Sequence, residues 1–519
     1  MRLLFECTYV FDHPYVNSGI QRVVRNVINN LGNLGNPGTS ENDVECLAVV
    51  LKDDKVYAVR KLAPGLREQI VSKTQEWFEV TRNHHWLLYH RFAEQTIPKR
   101  FPIFQAGLKN LFRMISFLYI LPFGLVLLML SRQRIYARTN SWFMRRNNRY
   151  WSFHQRWEQQ LGLANKTALR WILKQFFNIG SLAFVLPWQL ARLMAGEDID
   201  TQRASAIDCR KGDVLVLLDS SWHDDFFSHA ERLKSEGVGI VSVIYDIIPL
   251  THPQFCDAPL VKVFDHWFDW VVNIADGFIA ISETISNQVR QDVICRLGAE
   301  EAGKRWYSFF HLGSEINHSS QTNKVRRRLQ KFFSVDRSVY LMVGTIEPRK
   351  NHGYLLDAFE PLWADGNPCI LCIVGRIGWK CGQLIERIRK HPELGRRLFM
   401  FNDLNDTELE FCYHHSKALV FPSFVEGFGL PLVEAMQRGL PVMASDIPVF
   451  REVGGEFIAY FDPHDPDSLA RLVREYESTG QFPSSRSIDA WQWPGWQEAT
   501  RQLVGNIVRN TLSVPALVS

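Results

Sequence analysis

Short apolar runs alternate with amphipathic stretches from the first residues of the chain. Residues 3–7 predict a strand. A polar turn follows, then a helix opening near Ser18-Gly19 with Val23, Val24 and Val27 on one face. Residues 46–51 predict a second strand. Much later the alternation resumes with strands over 214–218, 240–245 and 277–281, the second ending in Asp246 and the third leading into a helix at Ser282-Glu283. A second set follows the polar stretch 314–328. Its strands are predicted over 339–343, 370–374, 398–401, 418–421 and 441–444, with helices between them, for example over 408–415 and 432–438. Strands that are apolar throughout, rather than on alternate positions, are buried on both faces. Alternated with helices, they predict parallel sheets covered on each side. The chain therefore reads as two βα domains in series: residues 1–325 and 326–490, followed by a terminal helix over 491–519.

Between about 65 and 205 the strand pattern stops, which predicts a mostly helical insertion in the first domain. No Asp or Glu occurs from 95 to 157, while eleven Lys or Arg do. Two uncharged runs, 114–131 and 175–191, lie between flanking cations, and each contains a proline (Pro122, Pro187). Both are short for a membrane span. If both spanned, the cations between them would cross to the far side, against the positive-inside tendency. The pattern fits a segment lying in the interface, with apolar faces among acyl chains and Arg and Lys at anionic headgroups. A helical subdomain packed on the core and a true hairpin span are the alternatives.

Composition narrows the classes. The chain has 519 residues, 46% hydrophobic and 22% charged, enough to build large cores and to exclude wholesale disorder. The formal net charge of +4 is too near neutral for a protein that coats nucleic acid, and the long apolar run among the 95–157 cations weakens that reading further. Nine scattered cysteines form no disulfide framework and suggest a reducing compartment. Cys369 and Cys372 have CxxC spacing, but positions i and i+3 of a strand point to opposite faces and cannot chelate one metal. The opening residues read as a strand rather than a signal peptide, because Glu6 and Asp12 interrupt any apolar region.

Chemistry concentrates in two motifs. In the first, Phe421 to Glu434, a strand ends, Gly427 and Gly429 let backbone approach a ligand, and a helix begins with Pro431 in its first turn. The free N–H groups and the positive dipole end of that helix suit a diphosphate. Glu426 and Glu434 would repel phosphates, so their natural partners are hydroxyls, those of a sugar ring and a ribose. The second motif runs from Gly344 to Asn351, where Arg349 and Lys350 follow a strand end. They are well placed to neutralise a leaving diphosphate.

These residues resemble the donor site of the retaining GT-B glycosyltransferases of family 4. The likeness rests on Glu426-x7-Glu434 with Gly-Phe-Gly-Leu-Pro between, on Gly344-Thr-Ile-Glu-Pro-Arg349-Lys350-Asn, on Val374-Gly375 with Gly378-Trp379, and on Phe461-Asp462-Pro463. It is strong over about 335–475, thin at 17–22 and 245–249, and does not reach the insertion. It implies an α/β, GT-B fold of two Rossmann-like domains facing a cleft, with the terminal helix crossing back to the first domain. It implies that Arg349 and Lys350 hold the donor diphosphate, Glu434 the ribose hydroxyls and Glu426 the donor sugar. Gly427, Phe428, Gly429, Leu430 and Gly344 would line the donor, Gly19 would face it across the cleft, and residues near 401–404 would border the base. Many relatives carry His-Asp where this chain has Tyr245-Asp246, so these two stand only as candidates for an acceptor or phosphate contact.

The resemblance further implies retention at the anomeric carbon, a nucleotide sugar as donor, a glycan or lipid-linked acceptor, and no cofactor. The motif version resembles mannosyltransferases, which points to GDP-mannose and to bacterial surface polysaccharide such as lipopolysaccharide. The expected location is the cytoplasmic face of the bacterial inner membrane, with the membrane surface contacted through about 95–195. No metal is expected. Asp198-Ile-Asp200 and Asp465-Pro-Asp467 have DxD spacing but lie in polar linkers. A catalytically silent scaffold at the membrane and a nucleotide-sugar epimerase are the alternatives. The intact Glu426, Glu434, Arg349 and Lys350 count against the first, and the insertion against the second.

Overall fold

The computed structural model describes residues 1–13, 19–32, 44–52, 54–62, 203–223, 226–314, 325–334 and 337–513. The insertion at about 65–205, its two apolar runs, Asn17-Ser18 and Asp198-Ile-Asp200 lie outside the described residues. Among the described residues, no helix is long and apolar enough to cross a membrane. The chain divides into two compact units. One comprises Met1–Phe11, Val16–Ala58 and Ala206–Ser519 and carries the sheets that follow, apart from Val59, Ala204 and Ser205 at the outer edge of the first.

The first sheet contains β1 (Arg2–Glu6), β2 (Glu45–Lys52), β3 (Lys55–Val59), β4 (Ala204–Ile207), β5 (Val214–Leu217), β6 (Gly239–Ile244), β7 (Gly277–Ala280) and β8 (Trp306–Phe309), in the order β4-β3-β2-β1-β5-β6-β7-β8. The second contains β9 (Val339–Val343), β10 (Ile370–Val374), β11 (Leu398–Phe401), β12 (Ala418–Phe421), β13 (Val442–Ser445) and β14 (Ala459–Phe461), in the order β11-β10-β9-β12-β13-β14. All its pairings are parallel. In the first sheet β2 and β3 form an antiparallel hairpin. Every residue of β5, β6, β9 and β10 is buried, as central strands of doubly covered sheets must be. These two Rossmann-like sheets fit the expected GT-B fold.

Four strands are absent from the sequence reading: β3, β4, β8 and β14. All lie towards sheet edges, and β4, β8 and β14 have only three or four residues. β4 and β8 each place a serine in a four-residue run and β14 has three residues, so none shows the unbroken apolar run by which β5 and β12, also four residues long, are read. The strand expected from residue 441 begins instead at Val442, since Pro441 has no N–H; its carbonyl still accepts from Leu419 N. Cys369 and Cys372 are buried and unbridged, the first just before β10 and the second in its middle. Burial pushes both thiols up, Cys369 to about 12, so neither is poised as a thiolate.

Local chemistry sets the helix ends. Asn405 caps the helix Asp406–His415 through a reciprocal capping box with Glu408. Asp465 caps Pro466–Thr479 by accepting from Asp467 N and also pairs with Arg471, so this DxD pair serves a helix start. The terminal helix Trp496–Ser513 lies against the helix Gly19–Leu31 and β8 of the first sheet. Trp496, Ala499, Leu503 and Ile507 form its buried stripe, and Asn506 donates to the Phe309 carbonyl at 2.7 Å.

In the second sheet the strand order reverses between β9 and β12, which pair directly. In open α/β sheets this switch point is where the carboxyl ends of strands leave a crevice for a ligand. The ends of β9 and β10 approach unusually closely. A Cβ at Gly375 would lie 1.7 Å from the Gly344 carbonyl oxygen, a backbone atom with no freedom to move aside. Gly375→Ala is therefore expected to destabilise by about 1–3 kcal/mol or more, the range for overpacked sites, read as a lowered urea midpoint at unchanged slope.

Candidate active site

The switch point joins the two motifs. The β9 strand delivers Glu347 in extended backbone and then Arg349 and Lys350 on a single turn of 3-10 helix, Pro348–Lys350. Asn351 closes it in the left-handed region at φ 53°, a conformation asparagine tolerates well, and starts the helix His352–Ala364. The β12 strand delivers Ser423, Glu426 and the glycine turn. Gly429, at φ 97°, is the N-cap of the helix Leu430–Gln437.

Glu426 is the centre of this cluster. One carboxylate oxygen accepts from Arg349 Nη1 at 2.6 Å. The other accepts from Ser423 Oγ at 2.7 Å and from Lys350 Nζ. Arg349 Nε also pairs with Glu347 at 2.7 Å. Burial alone would raise Glu426, but Arg349 and Lys350 outweigh it and hold the group at about 2. Glu347 and Asp246 go the other way: burial raises both, and the two cations only partly offset it. The cluster thus gathers three carboxyl groups and two cations, with Glu426 the firmly ionised member.

The first sheet closes against this cluster. Gly427 lies so near the end of β6 that a Cβ there would sit 2.3 Å from the Tyr245 carbonyl oxygen and 3.2 Å from Asp246 Cβ. Ser282 Oγ donates to the Gly427 carbonyl at 2.9 Å. Beside it, Glu452 accepts from the backbone N–H groups of Glu283 and Thr284, at 2.7 and 2.9 Å, and lies 2.8 Å from His311 Nε2. Further along, Trp379 Nε1 donates to the Phe255 carbonyl at 2.9 Å, and Phe255 stacks on Phe424 with centroids 5.6 Å apart.

Glu426, Arg349, Lys350, Gly427, Tyr245 and Asp246 therefore come together, and Gly344 lies beside the Lys350 side chain. Tyr245 joins through its backbone only. Its buried hydroxyl is directed away and donates to the Leu218 carbonyl at 2.7 Å. The Phe428 ring is buried beside His311 and Trp493, so only its backbone could serve a ligand. Leu430 heads its helix. Gly19 begins Gly19–Leu31 with open space at its Cβ position, and the link from that helix to the second sheet is made three residues later by Arg22.

Glu434 stands apart from Glu426 with partners of its own: Arg22 Nη1 at 2.5 Å from one oxygen and the Tyr413 hydroxyl at 2.8 Å from the other. Sequence reasoning singled out neither partner, although Arg22 lies in the stretch 17–22 that carries the resemblance. Ser423 and Glu347 were also inside quoted motifs without being assigned a role. Tyr413 carried no signal in the sequence. Near 401–404, Asp403 is exposed and bridged by Arg326 and Arg328, and Arg326 also binds the buried carboxylate of Glu408. Among the described residues there is no group of three or more His, Cys, Asp or Glu able to hold a metal.

Residues 325–489 match the family model of glycosyl transferases group 1. Over 306 residues the chain is 33% identical to the serotype-specific mannosyltransferase WbdA of Escherichia coli, a match covering 57% of this chain and 37% of WbdA. It is 34% identical over 150 residues to the O-antigen chain mannosyltransferase RfbU of Salmonella typhimurium, covering 28% of this chain and 40% of RfbU. A solved structure of Anabaena HepE in complex with UDP is 17% identical, with a TM-score of 0.44, covering 57% of this chain and 79% of that one. The chain thus spans less than half the length of the WbdA and RfbU relatives it matches.

The depressed value of Glu426 has a pH signature. A carboxylate held below its free value of 4.5 adds stability above that pH and loses it as pH falls towards about 2. Glu426→Gln removes that contribution and leaves the buried Lys350 without its carboxylate partner, while the half-buried Arg349 keeps Glu347, at a cost of about 3–5 kcal/mol. The stability gap between wild type and variant, from denaturant unfolding, is expected to be flat above about pH 5 and to narrow between pH 4.5 and 2.

Proposed function

We propose that the chain is a retaining, metal-independent hexosyltransferase. It moves a sugar from a nucleotide sugar to a lipid-linked or oligosaccharide acceptor in bacterial surface polysaccharide synthesis. The observation that carries this reading is the side-by-side pair Arg349 and Lys350 at the switch point of the second sheet, next to the glycine turn and Glu426. Nothing about that pair requires two buried cations for folding alone, because an apolar pair would avoid the desolvation. A diphosphate arriving there finds two cations, the N–H groups at the start of Leu430–Gln437 and no need of a metal.

In the proposed step, the bond from the anomeric carbon to the departing phosphate oxygen breaks. A bond to the acceptor oxygen forms on the same face, and the acceptor proton passes to that phosphate oxygen. Arg349 and Lys350 stabilise the charge growing on the diphosphate. Glu426 orients both cations and holds the donor sugar, so catalysis is positioning plus electrostatic stabilisation. Asp246, facing Arg349 from the first sheet, is on the acceptor side of this arrangement. Mannose, from GDP-mannose, is the proposed sugar, in keeping with the mannosyltransferase names of the matched relatives.

A panel of GDP, UDP, ADP and CMP sugars tests the donor reading by thermal shift. One nucleotide class, GDP first, is expected to raise the wild-type midpoint, with about 2.7 kcal/mol of stabilisation at a hundredfold excess over Kd. The shift should vanish in Lys350→Ala. A folded wild type stabilised by none of them would sink the reading and favour a silent scaffold.

The protein is further proposed to lie on the cytoplasmic face of the inner membrane through about 95–195. That segment is acid-free over 95–157, with eleven cations there. The full-length chain should sediment with vesicles containing anionic lipid and not with purely zwitterionic ones, the binding weakening as salt rises. Equal binding to both vesicle types would count against it.

A further inference from the structure

We propose that a row of aromatic rings at the mouth of the crevice is a subsite for an oligosaccharide acceptor, where sugar units lie beyond the one that receives the transferred sugar. This rests on the glycosyltransferase reading and deepens it by naming the acceptor as a chain of sugars and the surface that recognises it.

Four loops supply the rings, each following the carboxyl end of a strand. His252 and Phe255 come after β6, Trp379 after β10, Phe424 after β12 and His464 after β14. Parallel strands gather such loops on one side of their sheet. His252 lies against Phe255 with centroids 6.1 Å and planes 5° apart, and Phe255 against Phe424 at 5.6 Å and 8°. Phe424 meets His464 at 5.3 Å and 32°. Planes in contact stand about 3.5 Å apart, so the first two spacings require lateral offsets of about 4–5 Å, and each ring leaves part of its face uncovered. His464 is exposed, and His252, Phe255 and Phe424 are half-buried.

Trp379 is fixed beside this row. Its indole N–H donates to the Phe255 carbonyl, which satisfies its one polar group, yet the residue remains 36% exposed. The next residue, Lys380, takes the left-handed conformation at φ 51°, a strained one for a long side chain. Its ammonium donates to the Cys256 carbonyl and, at 3.3 Å, to the Gln254 carbonyl. Three hydrogen bonds therefore pin the loop after β10 to residues 254–256 and hold the indole in place. Folding does not ask for this. Among the described residues five large hydrophobic side chains are exposed, and two of them, Ile377 at 42% and Trp379, stand on this one loop. A rigid, partly bare aromatic surface beside a crevice is suited to recognition.

Chemistry selects a glycan as the occupant. A pyranose presents a face of C–H bonds and a rim of hydroxyls, so it pairs with aromatic faces that have polar groups between them. The row offers both, since the imidazoles of His252 and His464 flank the phenyl rings of Phe255 and Phe424. An acyl chain would be served by an unbroken apolar strip instead. Position selects the acceptor. Phe424 stands two residues before Glu426, and its N–H donates to the Arg349 carbonyl at 2.9 Å, so the row begins at the proposed reaction centre. The partners of Glu434, Arg22 and Tyr413, lie on none of these loops.

Calorimetric binding of α-linked mannose oligosaccharides, from mannose to the tetrasaccharide, tests this in wild type, Trp379→Ala, Trp379→Phe and His464→Ala, with binding of GDP, or of UDP if GDP does not bind, measured alongside. Wild-type affinity should rise with chain length. Trp379→Ala should bind the tetrasaccharide about tenfold more weakly, as the loss of one aromatic contact predicts, and Trp379→Phe should recover part of that. His464→Ala, on a separate loop, should weaken it several-fold. Should Trp379→Ala fail to fold, the Trp379→Phe and His464→Ala arms carry the test. If wild type binds nucleotide but holds the tetrasaccharide no more tightly than mannose, or if the variants keep wild-type affinity, the inference is overturned while the donor reading stands. It is overturned equally if Trp379→Ala loses binding to anionic vesicles and not to the oligosaccharides, which would make the row a membrane contact. If wild type binds the oligosaccharides through these rings but no nucleotide, the sugar subsite stands and the glycosyltransferase reading falls. If it binds neither, both fall.

Discussion

The ionised carboxylate of Glu426 between Arg349 and Lys350 is the constraint around which the second sheet's crevice is organised. Two neighbouring cations in a buried place repel each other and lose hydration. They stay where they are because one carboxylate engages both, with Ser423 supplying a further hydrogen bond. The cluster spans the two strands at which the sheet order reverses, so the ion pairs also tie the turn after β9 to the turn after β12. Removing any one charge leaves the others unbalanced. The arrangement is therefore costly as architecture, because each charge depends on the others for its compensation.

The contacts between the two sheets are mostly polar and local. Ser282 meets a carbonyl of the glycine turn, Glu452 caps the start of Glu283–Gly303 from the opposite sheet, and Arg22 reaches Glu434. Each is a hydrogen bond or ion pair rather than a broad apolar face. Such contacts fix register between the layers while contributing modestly to stability, since each exchanges bonds to water for bonds to protein. Gly427 shows how close the approach is: the backbone of the turn passes so near Tyr245 that no side chain fits between.

Much of this was legible in the linear chain. The long central strands are continuous apolar runs, and their period is unambiguous. Glycines beside a helix start and adjacent cations after a strand are chemistry that a spacing exposes. What the sequence did not expose falls into two kinds. The edge strands β4 and β8 are interrupted by a serine and β14 has three residues, so none presents the unbroken apolar run of a central strand. Tyr245 reads as a polar group at a strand end, yet its hydroxyl is buried against Leu218, because orientation at a strand terminus depends on the neighbouring strand.

The sequence by itself determined the two βα sets, the residues of the donor-type motifs and their order along the chain, because these follow from local periodicity and from residue types that serve one chemistry. Only the tertiary structure decided the partners. It joined Glu426 to both cations, and it gave Glu434 to Arg22 and Tyr413 instead. Ion pairs form between groups that the crossover connections bring within about 3 Å, and no local pattern encodes a contact between positions 22 and 434.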